Sequence, residues 1–434
     1  MPVNRVLLSN PPALLRLVAR KLVRLVRDPK ARPAPPATPR IDVRELIARS
    51  SIEELNRKAE EYFSSLTTWD DHLAKPFSRT DDAPALLINF ATMIQGLQLA
   101  PGLRVLDFGA GSGWTARFLT QLGCEVVLLD VSPTALEIAR ELYRRQPVIG
   151  TRPEPRFLVY DGRRIDLPDA SVDRVLCFDA FHHAPDPDAS IAEFARILRP
   201  GGIAAFAEPG PDHSKREPSQ FEMRTYGVVE NDVDVHAIRR RAREVGFDEM
   251  RLVAYNVPPF HVTLEEYDDL LAGGATYLRW AETTRGFLGD TRNFFLKREG
   301  EESLDSRRTE GLAARIEATL ESDGVAAGAP ILLQARVTNA GKAFWLPSGT
   351  VPAGVSLGCH LADAAGRTIA HDFHWEPLTR PPREIAPGET VDLAFALPSL
   401  EAGSYEIELD CVSDGIAWFQ AVGSPTVRLR FEVR

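Results

Sequence analysis

The stretch Arg-Val-Leu-Asp-Phe-Gly-Ala-Gly-Ser-Gly, residues 104–113, decides the fold. Its short apolar run predicts a buried strand, and three glycines at alternate positions predict a tight turn. Residues 114–122 then have helical spacing, so the turn leads into a helix. Strand, glycine turn and helix N-terminus form a corner where backbone N–H groups can approach a ligand. The stretch therefore predicts a nucleotide-binding site.

The spacing of the glycines distinguishes two kinds of nucleotide site. The dinucleotide pattern G-x-G-x-x-G would place a third glycine at position 114, which is Trp114. Instead, an acid ends the strand, which gives D-x-G-x-G-x-G. This pattern resembles motif I of class I S-adenosylmethionine (SAM)-dependent methyltransferases of the small-molecule type. The resemblance implies that SAM is the cofactor and that it contacts Asp107, Gly109, Ala110, Gly111 and Gly113.

More acids follow at the ends of later predicted strands. Residues 126–130 are an apolar run that ends in Asp130, at the interval expected after the glycine loop. The resemblance implies that Asp130 receives the ribose hydroxyls of SAM, since a carboxylate can accept two hydrogen bonds from a diol. The alternative is an N-cap for the next helix. At the end of the third strand, 157–162, the resemblance implies contact between Asp161 and the adenine amino group. It also implies cofactor contacts from Val131, Gly162, Phe178 and Asp179.

Candidate catalytic residues follow the fourth and fifth predicted strands. His182 and His183 come where the resemblance places the opening onto the methyl group of SAM. Glu208 ends the fifth strand and His213 lies just beyond it, so both compete with the histidine pair as the base that an oxygen nucleophile needs. Similar histidine pairs occur in family members that use no histidine base, so a structural role stays open. Residues along the expected substrate wall are Glu222, Glu230, Asp232, His236 and His261. They permit a divalent metal, but their spacing demands none, and we predict no metal site.

The predicted fold is α/β, with a Rossmann-like sheet of six parallel strands and one antiparallel strand. The methyltransferase domain covers residues 41–305 and begins with a helical lead segment, in which His72 and Lys75 are candidate lid residues. The turn Leu-Arg-Pro-Gly-Gly at 198–202 is typical of the family before its fifth strand. Residues 256–292 predict an insertion that shapes the substrate site as a lid.

Residues 312–434 predict a β-sandwich, because short alternating stretches recur with turns between them. They resemble the immunoglobulin-like accessory domains of bacterial polysaccharide-assembly proteins, through motifs such as Thr-Asn-Ala-Gly at 338–341 and Asp-Gly-Ile-Ala-Trp-Phe at 414–419. The resemblance implies a glycan. Aromatic residues of this domain either stack on sugar rings or fill the core, and Trp345 is the strongest candidate for stacking.

Residues 1–40 predict a basic amphipathic helix at 12–27 followed by a Pro/Ala-rich linker. The helix could rest on an anionic membrane or dock on protein. The net charge of −10 argues against broad nucleic-acid binding. Four widely spaced cysteines and the lack of a long apolar run predict free thiols, no membrane span and a cytoplasmic location, with possible peripheral contact at the inner face of the cell membrane.

The sequence thus predicts a SAM-dependent methyltransferase that acts on a small molecule or glycan, most simply by O-methylation of a sugar, glycolipid or polysaccharide intermediate. Two alternatives stay open: a non-catalytic SAM- or glycan-binding component of an envelope polysaccharide complex, and a nucleotide-dependent oxidoreductase or sugar-modifying enzyme. The oligomeric state does not follow from the sequence.

Overall fold

The computed structural model describes residues 40–254, 260–322, 324–349 and 352–434. Within it, Asp42–Arg434 form one compact unit. The predicted amphipathic helix at 12–27 lies outside the described residues.

The first sheet has seven strands in the order β3-β2-β1-β4-β5-β7-β6. They are β1 Arg104–Phe108, β2 Glu125–Asp130, β3 Arg156–Val159, β4 Val172–Phe178, β5 Leu198–Pro209, β6 Phe247–Leu252 and β7 Thr291–Arg298. Strand β7 runs antiparallel to both of its neighbours, and the remaining pairs are parallel. The predicted arrangement of six parallel strands and one antiparallel strand is therefore confirmed.

Helices cover both faces of this sheet. They are Val43–Arg49, Ile52–Ser64, Asp70–Leu73, Ala83–Leu97, Trp114–Gln121, Pro133–Arg145, Pro187–Ile197, Glu217–Tyr226, Val235–Glu244, Leu264–Leu271 and Ala275–Asp290. Successive residues of a strand point to opposite faces, so Leu106 belongs to one buried core and Val105 to the other. Burial on both faces explains the continuous apolar runs of the central strands.

Three predicted elements differ in their bounds. The third strand ends at Val159, so Asp161 lies in the loop that follows it. The apolar stretch 251–255 predicts the sixth strand, which in the structure begins earlier, at Phe247, and ends at Leu252. The predicted turn at 198–202 belongs to β5, where the pairing register with β4 jumps between Val172 and Arg174. Gly201 adopts φ +75° in this irregular part, so the glycine of the family turn is used for a bulge within the strand.

The C-terminal residues form two further sheets, which share one hydrophobic core. The strands are β8 Ala314–Leu320, β9 Gly324–Val325, β10 Ile331–Asn339, β11 Val355–Asp363, β12 Thr368–Pro377, β13 Thr390–Leu397, β14 Gly403–Ser413, β15 Ala417–Trp418 and β16 Val427–Val433. The alternating stretches at 315–320, 331–338, 355–361, 391–397, 405–412 and 427–433 predict all of these strands except β9, β12 and β15. Trp345, the strongest candidate for sugar stacking, instead takes the alternative role in the core, because its indole is fully buried and packs edge-on against Phe419.

A buried charge links the two regions. Arg174 of β4 is fully buried, and its guanidinium lies 2.9 Å from the carboxylate of Glu302. Arg307 donates a hydrogen bond to the backbone carbonyl of Gly102, over 3.1 Å. A buried guanidinium is strongly destabilising without its partner, so the segment after β7 is held against the first sheet.

The four cysteines are buried and unpaired, as predicted. In the part of the chain that the structure describes, no helix combines the length and apolar character needed to cross a membrane.

Candidate active site

A cavity of about 480 Å³ lies at the carboxyl ends of β1, β2 and β4. Its wall consists of residues 108–112 after β1, 129–131 after β2, and 178–180 and 182–186 after β4. The lead helix Ile52–Ser64 and residues 228–230 close the opposite sides. Open parallel sheets bind ligands at this edge, and the volume is within the usual range of roughly 300–1,000 Å³ for small-molecule sites.

The glycine turn is shaped by its three positive φ angles, +67° at Gly109, +51° at Gly111 and +73° at Gly113. A Cβ at Gly109 would lie 2.6 Å from the side chain of Ala180, and one at Gly113 would lie 2.8 Å from Ala139. Gly109 and Gly113 thus allow the turn to pack closely. A Cβ at Gly111 would meet nothing within 4 Å. Its missing side chain therefore leaves space open in the cavity wall.

Asp130 lies at the end of β2 and lines the cavity. One carboxylate oxygen accepts from the N–H of Gly111 at 2.8 Å and the other from the N–H of Ser132 at 2.9 Å. Burial raises the pKa of Asp130 to about 6, although these hydrogen bonds oppose the shift. Each oxygen keeps a lone pair for a ligand hydroxyl. The helix N-cap is Ser132, whose side chain accepts from Ala135.

The other predicted cofactor residues divide into two groups. Ala110, Val131, Gly162, Phe178 and Asp179 line the cavity. Asp107 and Asp161 are not among the lining residues. The buried carboxylate of Asp107 accepts from the hydroxyl of Thr115 at 2.6 Å, and burial raises its pKa to about 7. The carboxylate of Asp161 accepts from the N–H groups of Arg163 and Arg164, where it shapes the loop after β3.

The lead helix contributes residues that sequence reasoning missed. Asn56 lines the cavity and donates to the backbone carbonyl of Asp161 at 2.8 Å. Gly162 makes this approach possible, because a Cβ there would lie 2.5 Å from Ile52. Tyr62 lines the cavity together with the predicted lid residues His72 and Lys75. The capping signal in the sequence locates the start of this helix, but no local pattern marks Asn56 or Tyr62 as site residues.

His182 lines the cavity and forms a buried pair with Glu208, which lies behind the wall. Nδ1 of His182 lies 2.7 Å from a carboxylate oxygen of Glu208. Glu208 also accepts from the N–H groups of Ala180, Phe181 and His182, and it is not among the lining residues. Burial opposes a charged imidazole, but the hydrogen bond and charge of Glu208 outweigh it and raise the pKa of His182 to about 9. Glu208 is therefore fully occupied and has no free approach to a ligand.

His183 and His213 meet at Glu230. Nδ1 of His183 lies 2.7 Å from the carbonyl oxygen of Val229 and 3.4 Å from Oε1 of Glu230. Nε2 of His213 lies 2.7 Å from Oε2 of Glu230. The side chain of His183 is only partly buried, and this partial burial together with the charge of His182 lowers its pKa. Burial disfavours the charge of Glu230, but the hydrogen bond from His213 and the neighbouring histidines hold its pKa below its usual value.

Only some of the remaining residues predicted for the substrate wall line the cavity. Glu222 and Glu230 line the cavity, whereas Asp232, His236 and His261 do not. Asp232 accepts from the N–H of Ser214. In the predicted lid, the described residues 260–292 form two helices and contribute none of the cavity wall. The lid role stays a prediction.

The residues present fit a nucleoside cofactor with an amino-acid tail. Space is open at Gly111, where an added Cβ would meet nothing. Beside it, Asp130 offers two oxygens at the cavity surface, which suits a ribose diol. The N–H of Gly113 donates to the carbonyl of Ala110, so a backbone hydrogen bond closes the turn.

A family model described as "Methyltransferase domain" matches residues 106–206. A malonyl-[acyl-carrier protein] O-methyltransferase of Serratia marcescens is 32% identical over 31% of this chain and 51% of its own length. A ubiquinone biosynthesis O-methyltransferase of Xanthomonas euvesicatoria is 35% identical over 38% of this chain and 79% of its own. In a solved structure, phosphoethanolamine N-methyltransferase 2 of Haemonchus contortus in complex with SAM is 17% identical, with 62% of each chain covered and a TM-score of 0.36.

The matched region spans about half the length of the first curated relatives, 51%, 41% and 54%. The ubiquinone biosynthesis relative is covered over most of its length. The chain belongs to the SAM-dependent methyltransferase family, and its cofactor is SAM.

Proposed function

We propose that this chain transfers the methyl group of SAM to a hydroxyl oxygen of a sugar, in a glycolipid or polysaccharide intermediate. The observation that carries the proposal is the hydrogen bond between Nδ1 of His183 and the carbonyl oxygen of Val229. A hydroxyl is a weak nucleophile until its proton is removed, so O-methylation needs a base beside the acceptor.

The partner of His183 fixes its tautomer. A backbone carbonyl can only accept, so Nδ1 must carry the proton that bonds Val229. In the neutral ring, Nε2 then has a free lone pair. The side chain is 46% exposed and lines the cavity, so this lone pair is available to a ligand. A base oriented by a third group through its other nitrogen is the usual arrangement for activating a hydroxyl.

His182 and Glu208 take a positioning role in this proposal. The carboxylate of Glu208 binds three successive N–H groups and the ring of His182, so it fixes the short helical turn Phe181–His183 on the end of β4. Holding His183 in one place lowers the entropic cost of the reaction, and such positioning can supply several kcal/mol.

We propose that the methyl group is transferred in one direct displacement. SAM supplies a methyl group activated by the positive sulfur. Nε2 of His183 takes the hydroxyl proton, and an oxygen lone pair forms the new C–O bond. The C–S bond breaks, and its electron pair stays on sulfur as the neutral thioether S-adenosylhomocysteine. His183 then returns its proton to water.

Two features support a sugar as the acceptor. The C-terminal sheets share one core, and we propose that they form an immunoglobulin-like sandwich of the kind found in polysaccharide-assembly proteins. On β12, Trp375 is 37% exposed and lies perpendicular to Trp418, with ring centroids 5.9 Å apart. An exposed indole beside a second one offers an apolar face of the kind that stacks on sugar rings.

The test is incubation of the full chain with isotopically labelled SAM and a panel of glycans and lipid-linked sugars, followed by mass spectrometry. We expect a labelled methyl ether on a sugar, with S-adenosylhomocysteine formed in equal amount. Tight SAM binding without transfer to any acceptor would favour the non-catalytic alternative. Transfer only to nitrogen or carboxyl acceptors would contradict the sugar assignment.

A further inference from the structure

We propose that His182, His213 and Glu230 bind one divalent transition-metal ion. The site lies beside His183, at the end of the cavity that we assign to the methyl acceptor and call the acceptor end. Each residue offers one ligand atom, and these atoms all lie within 4.8 Å of one another. All three residues line the cavity. They come from the turn after β4, the turn after β5 and the segment after the helix Glu217–Tyr226, so only the fold brings them together.

The strongest support is the outer partner of His182. Histidines that bind metals almost always donate their second ring N–H to a carboxylate or carbonyl, which fixes the ring and its tautomer. Glu208 occupies Nδ1 of His182 at 2.7 Å, and Nε2 is the atom left for an ion. Glu208 is held by three backbone N–H groups, so this outer partner is rigid.

Glu230 and His213 complete the donor set. Oε2 of Glu230 lies 2.7 Å from Nε2 of His213, close enough to share a proton. An ion would take the place of that proton and bind both atoms after a small separation. The second oxygen of Glu230 lies 3.4 Å from Nδ1 of His183, so the same carboxylate that binds the ion also faces the proposed base.

The donor types select the class of ion. Two imidazoles and one carboxylate suit Zn²⁺ and its first-row neighbours, whereas Mg²⁺ and Ca²⁺ prefer oxygen ligands. Three protein ligands leave a coordination position open, as in catalytic zinc sites. The role of the ion rests on the proposed function: it would bind the acceptor hydroxyl and make its proton easier to remove, next to His183.

A second cluster of possible metal ligands, in the C-terminal region, can be compared with the proposed site. His360, His371 and Asp372 also have ligand atoms within 4.8 Å of one another. His371 and Asp372 are exposed, and Nδ1 of His360 already contacts the backbone carbonyl of His371. This cluster has the residue types of a metal site, but two of its three members are exposed, and it supplies a matched control.

The experiment uses the full chain, stripped of metal with a chelator and titrated with Co²⁺ and then Zn²⁺. Visible absorption of Co²⁺ reports its coordination, and calorimetry gives the stoichiometry for Zn²⁺. We expect one tight equivalent in the wild type and in the His371→Ala control. In His213→Ala and Glu230→Gln we expect affinity to fall by roughly 100-fold or more, since even outer-shell partners change metal affinity by about 10–100-fold.

SAM binding by each variant shows whether it is folded, and Glu230→Gln keeps the test valid if His213→Ala fails to fold. Absence of a tight equivalent in the wild type overturns the proposal. So does a tight equivalent that survives in His213→Ala and Glu230→Gln but disappears in His371→Ala. Because the titration contains no acceptor, a chain that binds the ion yet methylates no sugar would lose the proposed function and keep the metal site.

Discussion

The two ends of the cavity are built in different ways. The cofactor end comes mainly from one stretch, residues 105–131, with Gly162, Phe178 and Asp179 added from later loops. The groups that this stretch presents are largely backbone groups and the carboxylate of Asp130. The acceptor end collects side chains from separate turns, among them His183, His213 and Glu230. Backbone contacts suit a cofactor shared by a whole family, whereas side chains on loops can change with the acceptor. We therefore expect that cofactor binding and acceptor chemistry can be changed separately in this chain.

We expect the largest effect from His183→Ala, which changes the acceptor end alone. Loss of the proposed base should lower kcat by roughly 10²–10⁴-fold. The dissociation constant for SAM should stay within about twofold, because His183 lies at the acceptor end. Single-turnover methyl transfer and calorimetry with SAM measure the two effects separately.

His236→Ala is the matched control, since this histidine is exposed and lies outside the cavity wall. His236→Ala should leave both kcat and the dissociation constant for SAM unchanged. Equal loss of SAM affinity and rate in His183→Ala would show that the two ends are one site and would remove the base assignment.

The cofactor end could be predicted because its conformation depends on residues that are neighbours in the sequence. A glycine turn between a strand and a helix needs particular residues at fixed spacing, so Gly109, Gly111 and Gly113 could be identified from the sequence. Asp130 could be placed for the same reason, since it ends the next strand of a regular sheet. The side chain of Asp161 could not be placed, because its position depends on where β3 ends.

The acceptor end was only partly predictable. His182 and His183 follow a strand and were identified by position, but the contact of His183 with Val229 joins residues 46 apart in the sequence. The ligand set of the proposed metal site has no motif spacing, which is why the sequence predicted none. The sequence left open whether Trp345 stacks on a ligand or fills the core, because alternation alone does not tell whether a residue between strands folds inward.

The second prediction concerns Asp130→Ala at the cofactor end. Two hydrogen bonds from the ribose to a carboxylate are worth about 3 kcal/mol together, so the dissociation constant for SAM should rise roughly 100-fold. The variant should bind metal at the acceptor end as the wild type does. Calorimetry with SAM is the measurement. The control is Glu137→Ala, which changes an exposed residue on the following helix. Unchanged SAM affinity in Asp130→Ala would refute the ribose contact.

The smallest expected effect is a dependence of SAM binding on pH. In the free protein the pKa of Asp130 is raised to about 6, chiefly by burial. Ribose hydroxyls donate to the charged carboxylate, so binding lowers this pKa and releases a proton. Affinity must then rise with pH until Asp130 is fully ionised. We expect SAM to bind roughly tenfold more weakly at pH 5 than at pH 7, as measured by calorimetry.

Two asparagine variants show which acid causes the pH dependence of SAM binding. Asp130→Asn should remove most of the pH dependence, whereas Asp107→Asn should keep it, because Asp107 lies behind the wall and accepts from Thr115. Titration of SAM itself would persist in both variants and can be subtracted. In the opposite pattern, the pH dependence of SAM binding would be lost in Asp107→Asn and kept in Asp130→Asn. That result would mean that the positive charge of SAM interacts with the buried carboxylate of Asp107. The cofactor end would then recognise SAM through the field of Asp107 more than through contact with the ribose.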